Sequence, residues 1–172
     1  HSMARVVDLL QTDYAALLGR RRHPLLGCAT ISVGAISGGL QANVVPDRCT
    51  ILLDRRTLPG ETEAGVRREI LALLRRRNLT AAFVHEKLLP CPPLATDLRH
   101  PLVTRFLKCA AQRKPAGVRY FSDASVLARG GTPSAVFGPG DIAQAHTADE
   151  WISLAALERG HAILRHFLQS FY

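Results

Sequence analysis

Apolar and polar positions follow two different periods along the first half of the chain, and they predict helices and strands in a definite order. Apolar residues recur at helical spacing in Ala4–Leu18 and in Val66–Leu74, so each segment is predicted to be an amphipathic helix. Cys28–Ser37 and Arg48–Thr57 predict an antiparallel strand pair, and Thr80–Leu88 predicts a third strand. This order is a split βαβ (ferredoxin-like) α+β arrangement without its first strand, which leaves a sheet edge open to another chain.

The second half, which follows prolines at positions 90, 92 and 93, shows the alternation typical of a mostly parallel sheet covered by helices on both faces. Helices are predicted at 102–110, 122–130 and 150–169, and short apolar strands at 118–120 and 135–137. Four leucines at helical spacing are predicted to bury the last helix: Leu154, Leu157, Leu164 and Leu168. We therefore expect an α/β protein of two parts, residues 4–88 and 89–172.

Length and composition are those of one ordinary domain or two small ones, with 172 residues, 47% of them hydrophobic and 21% charged. No apolar run approaches the roughly 18 residues of a membrane span, and the start lacks a signal-peptide pattern, so we expect a soluble protein. Residues 1–3, His-Ser-Met, are interpreted as the remnant of an affinity tag.

Cysteine spacing and charge argue against two other classes of function. The four cysteines lie far apart without a Cys-x-x-Cys pair, which argues against a zinc knuckle and favours reduced thiols in the cytoplasm. A net charge of +8 is typical of nucleic-acid binding. However, the arginines cluster at predicted helix ends and only 6% of residues are aromatic, so no stacking platform is present. We expect neither a nucleic-acid nor a membrane partner.

A single histidine, His146, follows an apolar run and a Gly-Pro-Gly turn, shortly before a predicted helix. In α/β proteins, ligand sites lie at such positions, beyond the carboxyl end of a strand. From the residues alone, His146 is either a site residue or a loop residue beside a helix cap formed by Thr147 or Asp149. Glycines on both sides of Pro139 favour the first interpretation, because they permit a tight turn and a close backbone approach.

Six short motifs follow one another along the chain. They are Gly38–Asp47 (GGLQANVVPD), Asp54–Glu61 (DRRTLPGE), Ser122–Ala124 (SDA), Gly130–Pro133 (GGTP), Phe137–Gly140 (FGPG) and Ala145–Glu150 (AHTADE). Together they resemble the zinc-dependent amidohydrolases that include acetylornithine deacetylase, succinyl-diaminopimelate desuccinylase, aminoacylase and carboxypeptidase G. The first two motifs resemble the lid, or dimerisation, domain of that family, and the other four resemble the closing part of its catalytic domain. The resemblance implies a homodimer formed through the lid and a small N-acyl amino acid or peptide substrate.

The family's catalytic domain also carries a His-x-Asp metal motif and a Glu-Glu pair with the general base, both in the half that precedes the lid. Neither motif occurs in these 172 residues. The sequence is therefore predicted to be a C-terminal fragment, with no turnover of its own. The resemblance offers a second interpretation of the first residues, since a His-Ser pair closes the first lid strand in the family and its His reaches the partner subunit's active site.

By this resemblance, His146 is a ligand of one zinc in a two-zinc site, whose metals polarise an amide carbonyl and generate hydroxide near neutral pH. Asn43 and Arg56 match lid positions that hold the substrate carboxylate in the desuccinylase branch of the family, and a planar guanidinium can bind a carboxylate through two hydrogen bonds. Their structural alternatives are a turn Asn and an exposed strand Arg. Asp54 and Arg55 are interpreted as a local strand pair.

Four further residues are candidates for substrate contact. Ser122 and Asp123 are either helix caps or members of a substrate loop. Gly138 and Gly140 are expected in a substrate-facing loop, with a purely structural turn as the alternative. The function expected from the sequence is that of a fragment of a two-zinc amidohydrolase, which cleaves an N-acyl or peptide amide adjacent to a carboxylate. The alternative is a stand-alone dimerisation or binding module without catalysis.

Overall fold

The computed structural model of the chain describes residues 2–84 and 91–172. The described residues form two compact units. The N-terminal unit comprises the residues up to 93 together with 117–121, and the C-terminal unit comprises 94–116 and 122–172. Within the described ranges, no helix is both long and apolar enough to cross a membrane.

The N-terminal unit begins with a helical segment that changes its hydrogen-bond pattern midway. α1 spans Ser2–Leu9, a π-helical turn spans Leu10–Tyr14, and α2 spans Ala15–Gly19. The buried face continues from the π turn, where the side chain of Tyr14 is fully buried, into α2, where that of Leu18 is fully buried. The predicted amphipathic helix is confirmed, and it begins two residues earlier than expected.

Two antiparallel strand pairs follow. β1 (Arg22–His23) pairs with β2 (Gly27–Cys28), and β3 (Thr30–Gly38) forms a hairpin with β4 (Cys49–Arg56). The first residue of β3 lies opposite the last residue of β4, and the register shifts once, at Gly34. The predicted antiparallel pairing of the two longer strands is confirmed.

The helix α3 spans Glu63–Arg76 and completes the core of the N-terminal unit. Its N-terminus is capped by Thr62, whose hydroxyl oxygen accepts a hydrogen bond from the N–H of Gly65 at 3.1 Å. The core joins one face of α3, the first helical segment and the hairpin. Its buried residues are Val6, Leu9, Leu10, Tyr14, Leu18, Ala29, Ile31, Leu58, Ile70, Leu74 and Leu79.

The third strand predicted in this unit is not found in its described part. Residues 80–84 form no ladder, and residues 85–88 lie outside the described residues. The split βαβ arrangement therefore stays a prediction, whereas the mixture of helices and strands expected of an α/β protein is confirmed.

The C-terminal unit is helical, and a row of phenylalanine rings connects two of its helices. Its helices are α4 (Pro101–Cys109), α5 (Ala124–Arg129) and α6 (Leu154–Gln169), with a 3-10 turn at Ile142–Gln144. Each ring meets its neighbour edge to face at centroid distances of 4.9 to 5.0 Å. The row runs through Phe137, Phe106, Phe167 and Phe171.

Two predicted strands after residue 93 are wrong. The segments 118–120 and 135–137 have no ladder partner, so the predicted parallel sheet is absent from the described residues. The physical reason is that a strand requires inter-strand hydrogen bonds to a neighbour, which an apolar pattern cannot supply by itself.

The predicted burial of the closing helix is also wrong. α6 begins at Leu154, after the cap residue Ser153, and the leucines predicted to bury it are exposed, from 45% at Leu164 to 77% at Leu154. The helix instead packs through a neighbouring stripe of buried and half-buried residues, in which Gly160 lies against the ring of Pro139. Helical spacing therefore identified the helix, but not which of two apolar stripes faces the unit.

Candidate functional site

Asn43 and Arg56 lie in the N-terminal unit, at opposite ends of the β3–β4 hairpin. Asn43 is exposed in the connection between the strands, and Arg56 is the last residue of β4. The seven steps between the first and last residues of β4 span roughly 23 Å, at about 3.3 Å per strand residue, and Asn43 lies beyond the far end. The two residues are therefore not brought together within this unit.

The guanidinium of Arg56 contacts one carboxylate and one carbonyl. Its Nε donates to Asp54 Oδ2 at 2.7 Å, and its Nη1 reaches the carbonyl oxygen of Arg119 at 3.5 Å. The prediction that Asp54 pairs with Arg55 is wrong, because side chains alternate across a strand. Asp54 and Arg56 share the exposed face of β4, and Arg55 points to the packed face.

Arg55 belongs to a polar network that sequence analysis missed. Its Nη2 donates to Glu61 Oε1 at 2.7 Å, and Arg21 Nη1 donates to the same oxygen at 3.0 Å. Arg21 also binds Glu69, which accepts a further bond from the hydroxyl of Tyr14 at 2.9 Å. Arg55 Nε also donates to the Tyr14 hydroxyl oxygen at 3.4 Å, which links the two ends of this chain of contacts. We call these five residues the Glu61 network.

A signal for this network is present in the sequence. Ile51, Leu53 and Arg55 occupy alternate positions of β4 and therefore share its packed face. A charged residue at such a position requires a buried partner of opposite charge. The side chain of Arg55 is 8% exposed, and Glu61 supplies the partner.

The protein environment lowers the pKa values of both glutamates in the network. Burial opposes ionisation of Glu61, but hydrogen bonds from the Leu58 N–H and from Arg55 and Arg21 outweigh it and hold the pKa below the ordinary 4.5. For Glu69, the hydrogen bond from Arg21 is the main cause of the lowered pKa, and burial acts in the opposite direction. Both carboxylates are therefore ionised near neutral pH.

Stability of the N-terminal unit is expected to fall in acid. Because both glutamates have a folded-state pKa below the unfolded value, their contribution is complete above pH of about 5 and is lost as the pH drops through the lowered pKa values. Urea unfolding at a series of pH values measures this loss. The double variant Glu61→Gln, Glu69→Gln should show a flatter profile between about pH 5 and 3; an equally steep profile would contradict the assignment.

His146 lies in the C-terminal unit, in a loop whose backbone is held by short-range hydrogen bonds. Its φ is +64°, in the left-handed region that residues other than glycine rarely adopt. The His146 N–H donates to Glu150 Oε2 at 2.9 Å, and the side chain is exposed. Just upstream, Asp141 Oδ1 accepts from the Ala143 N–H at 2.9 Å. The sequence did not reveal this conformation, which depends on a contact four residues away.

Ser122 and Asp123 stand at the start of α5. The Ser122 hydroxyl oxygen accepts from the Ala124 N–H at 3.3 Å, whereas Asp123 is the N-cap residue without a side-chain cap. The Asp123 side chain is exposed. A hydrogen bond therefore supports the interpretation of Ser122 as a helix cap, and no such bond supports it for Asp123. The substrate-loop role of both residues stays a prediction.

Gly138 and Gly140 differ in what their positions require. Gly140 has φ of +88°, which favours glycine, and a β-carbon there would lie 3.5 Å from the side chain of Ile152. A β-carbon at Gly138 would meet open space. The turn therefore requires glycine at position 140 only.

The described residues do not by themselves fit a zinc centre. A catalytic zinc takes about three protein ligands. Within residues 2–84 and 91–172, no three His, Cys, Asp or Glu side chains converge into a group that could hold a metal ion. His146 therefore offers one donor of a set that this part of the chain does not complete.

The chain is similar to a known protein family and to several proteins of known function. Residues 1–81 match the family model described as a peptidase dimerisation domain. The chain is 31% identical over 153 residues to an N-acetyl-L-citrulline deacetylase from Xanthomonas campestris pv. campestris. This alignment covers 86% of the chain and 41% of that protein. The chain is also 30% identical over 138 residues to an acetylornithine deacetylase from Myxococcus xanthus. This second alignment covers 78% of the chain and 36% of that protein.

The matches cover both units but only part of each relative. An alignment of 153 residues is longer than either unit, so the similarity includes residues of both. The chain spans about two fifths of the length of the curated relatives it matches.

The fold has a counterpart among solved structures. The M20 family metallo-carboxypeptidase Sso-CP2 from Sulfolobus solfataricus superimposes with a TM-score of 0.60 over 96% of this chain and 44% of its own, at 17% identity. That likeness supports the shared fold, and the sequence matches supply the relationship. The chain therefore belongs to the M20 family of metal-dependent peptidases and deacetylases, which includes acetylornithine deacetylase.

Proposed function

We propose that this chain forms the lid and the C-terminal part of the catalytic domain of a two-zinc amidohydrolase. The enzyme would cleave an N-acyl or peptide amide next to a carboxylate. The two matched relatives named above are deacetylases of N-acetyl amino acids by name, and their similarity extends over both units. The remaining metal ligands and the general base would come from polypeptide outside these residues.

The observation that carries the proposal is the exposed imidazole of His146 in a loop of defined backbone conformation. Its left-handed backbone, which Asn78 and Ala111 also adopt, costs free energy, and residues held in this way occur at functional sites. Glu150 stabilises this conformation through a charge-assisted hydrogen bond to the backbone. The exposed imidazole makes no hydrogen bond to other described residues, which leaves its nitrogens available as metal donors.

Each unit contributes its own candidate groups for substrate binding. The guanidinium of Arg56 and the amide of Asn43 would each bind a substrate carboxylate. Since these two residues lie at opposite ends of the hairpin, they would do so in different active sites of a homodimer. In the C-terminal unit, Ser122, Asp123 and the loop from Gly138 to Gly140 are proposed as substrate-binding groups.

A homodimer formed through the N-terminal unit is part of the proposal. Residues 1–81 match a peptidase dimerisation domain, and the hairpin in this region is a two-stranded sheet with unpaired outer edges among the described residues. The same match favours the second candidate function, a dimerisation or binding module without catalysis.

Zinc binding by the purified chain tests the proposal. Elemental analysis after dialysis should find no stoichiometric zinc, calorimetry should find no saturable binding in the micromolar range, and N-acetyl-L-ornithine should not be hydrolysed, because about three ligands are needed. His146→Ala serves as the control and should behave like the parent chain. Retention of one or two zinc ions that the control loses would contradict the assignment of the other ligands to outside polypeptide.

The genomic reading frame upstream of Ala4 separates the two candidate functions. A two-zinc amidohydrolase requires that the frame continue upstream and encode a His-x-Asp motif and a Glu-Glu pair. A frame that opens at Met3, with neither motif, would favour the dimerisation or binding module.

A further inference from the structure

The guanidinium of Arg56 stands at the end of a strand whose backbone is anchored from the opposite face. Arg55 turns inward to Glu61, and its Nη1 also donates to the backbone carbonyl of Arg56. This contact ties the main chain at Arg56 to the Glu61 network. The strand end that carries Arg56 is therefore held in place before any ligand binds.

The side chain of Arg56 is oriented by a neighbour on its own face. Asp54 Oδ2 accepts from Nε of Arg56 at 2.7 Å, and this bond uses the side edge of the guanidinium. The two Nη groups form the end edge, whose one contact among the described residues is the 3.5 Å approach of Nη1 to the Arg119 carbonyl. An end edge free of carboxylates can bind an incoming carboxylate through two parallel hydrogen bonds.

We propose that Asp54 is a positioning residue, which fixes the guanidinium of Arg56 so that a ligand carboxylate binds at its end edge. The inference rests on the proposed role of Arg56 in binding the substrate carboxylate. Both side chains are about half exposed, at 51% for Arg56 and 55% for Asp54, so the pair adds little to stability. Its effect is on the orientation of a long side chain that would otherwise sample many rotamers.

Asp54 acts on a ligand carboxylate in two opposing ways. Its negative charge repels the ligand, whereas its hydrogen bond to Nε pre-orients the group that binds the ligand. Asparagine at position 54 keeps a hydrogen-bond acceptor and removes the charge, and alanine removes both. Positioning therefore predicts that Asp54→Asn binds carboxylates at least as tightly as the parent chain and that Asp54→Ala binds them about two- to fivefold more weakly.

The experiment is an NMR titration of the full chain with N-acetyl-L-citrulline, which follows the Nε–Hε signal of Arg56. Arg56→Lys lacks this signal and therefore assigns it. Before ligand is added, the heteronuclear NOE of this signal should show an ordered side chain in the parent and in Asp54→Asn, and a mobile one in Asp54→Ala. Equal mobility in all three proteins would overturn the positioning role, whatever the ligand does.

Ligand affinities measured in the same titration separate the positioning role of Asp54 from the proposed carboxylate-binding role of Arg56. If Arg56→Lys, followed through backbone amide signals, binds the ligand as well as the parent, or if the parent shows no saturable shift, the carboxylate role of Arg56 is wrong. If Arg56→Lys loses binding but Asp54→Ala binds as tightly as Asp54→Asn, Arg56 keeps its role and the positioning role of Asp54 is wrong. Melting temperatures of the Asp54 variants should match the parent, because the pair is exposed.

Discussion

Replacing Leu18 with alanine is expected to lower the free energy of unfolding of the N-terminal unit by about 2–5 kcal/mol. Leu18 is fully buried in α2, where it contributes to the core shared with the hairpin and α3. Truncation to alanine removes buried methyl groups and leaves a cavity, and both effects destabilise the folded state. Alanine is a good helix former, so the loss would report packing rather than helix propensity.

The adjacent residue provides a matched control for this prediction. Leu17 lies in the same helix and is 38% exposed. Leu17→Ala should cost less than about 1 kcal/mol, since much of the side chain already contacts water. Urea unfolding followed by circular dichroism measures both variants. Similar losses for the two leucines would contradict the burial pattern of α2.

Replacing Glu61 with alanine is expected to destabilise the N-terminal unit by about 3 kcal/mol. This loss is typical of removing one partner of a buried ion pair while the other stays buried. Arg55 would then keep a charge in a side chain that is 8% exposed, without its closest carboxylate. The variant also removes the acceptor for the Leu58 N–H, which Glu61 Oε2 binds at 2.8 Å, and so weakens the turn before α3.

A glutamate two residues away provides the control. Glu63 binds Arg67 at 2.8 Å on the surface of α3 with 45% of its side chain exposed, so Glu63→Ala should cost about 0.5 kcal/mol or less. Adding Arg55→Met to Glu61→Ala removes the uncompensated charge and should recover part of the loss. A double variant no more stable than Glu61→Ala would show that the buried charge of Arg55 is not the cause.

Local patterns were sufficient to predict the β3–β4 hairpin and most helices. Alternation and helical spacing are properties of neighbouring residues, and they identified β3, β4 and α3 within a few residues of the observed ends. The same patterns failed for 118–120 and 135–137, because a strand exists only where another strand offers its hydrogen bonds. They failed for the leucine stripe of α6, because helical spacing does not say which stripe meets the core.

Candidate site residues show the same division. His146 and Arg56 were found from motifs, and their roles in metal and carboxylate binding stay predictions. The partners of these residues were not found: Glu150 at the His146 backbone and Asp54 at the Arg56 guanidinium become visible only when the loop and the strand are folded. The Glu61 network joins residues up to 55 positions apart, a separation that no local pattern records.

The sequence by itself determined the family and the order of the longer elements of the N-terminal unit, a helical segment, two strands and a helix, and it named the candidate site residues. These depend on residue type and on spacing over a few positions. Only the tertiary structure decided which apolar stripes are buried, that Arg55 turns inward to Glu61, and that His146 adopts a left-handed backbone. The physical reason is that burial, charge pairing and strained backbone conformations are stabilised by contacts between residues distant along the chain or across a folded loop, and these contacts form only when the chain packs.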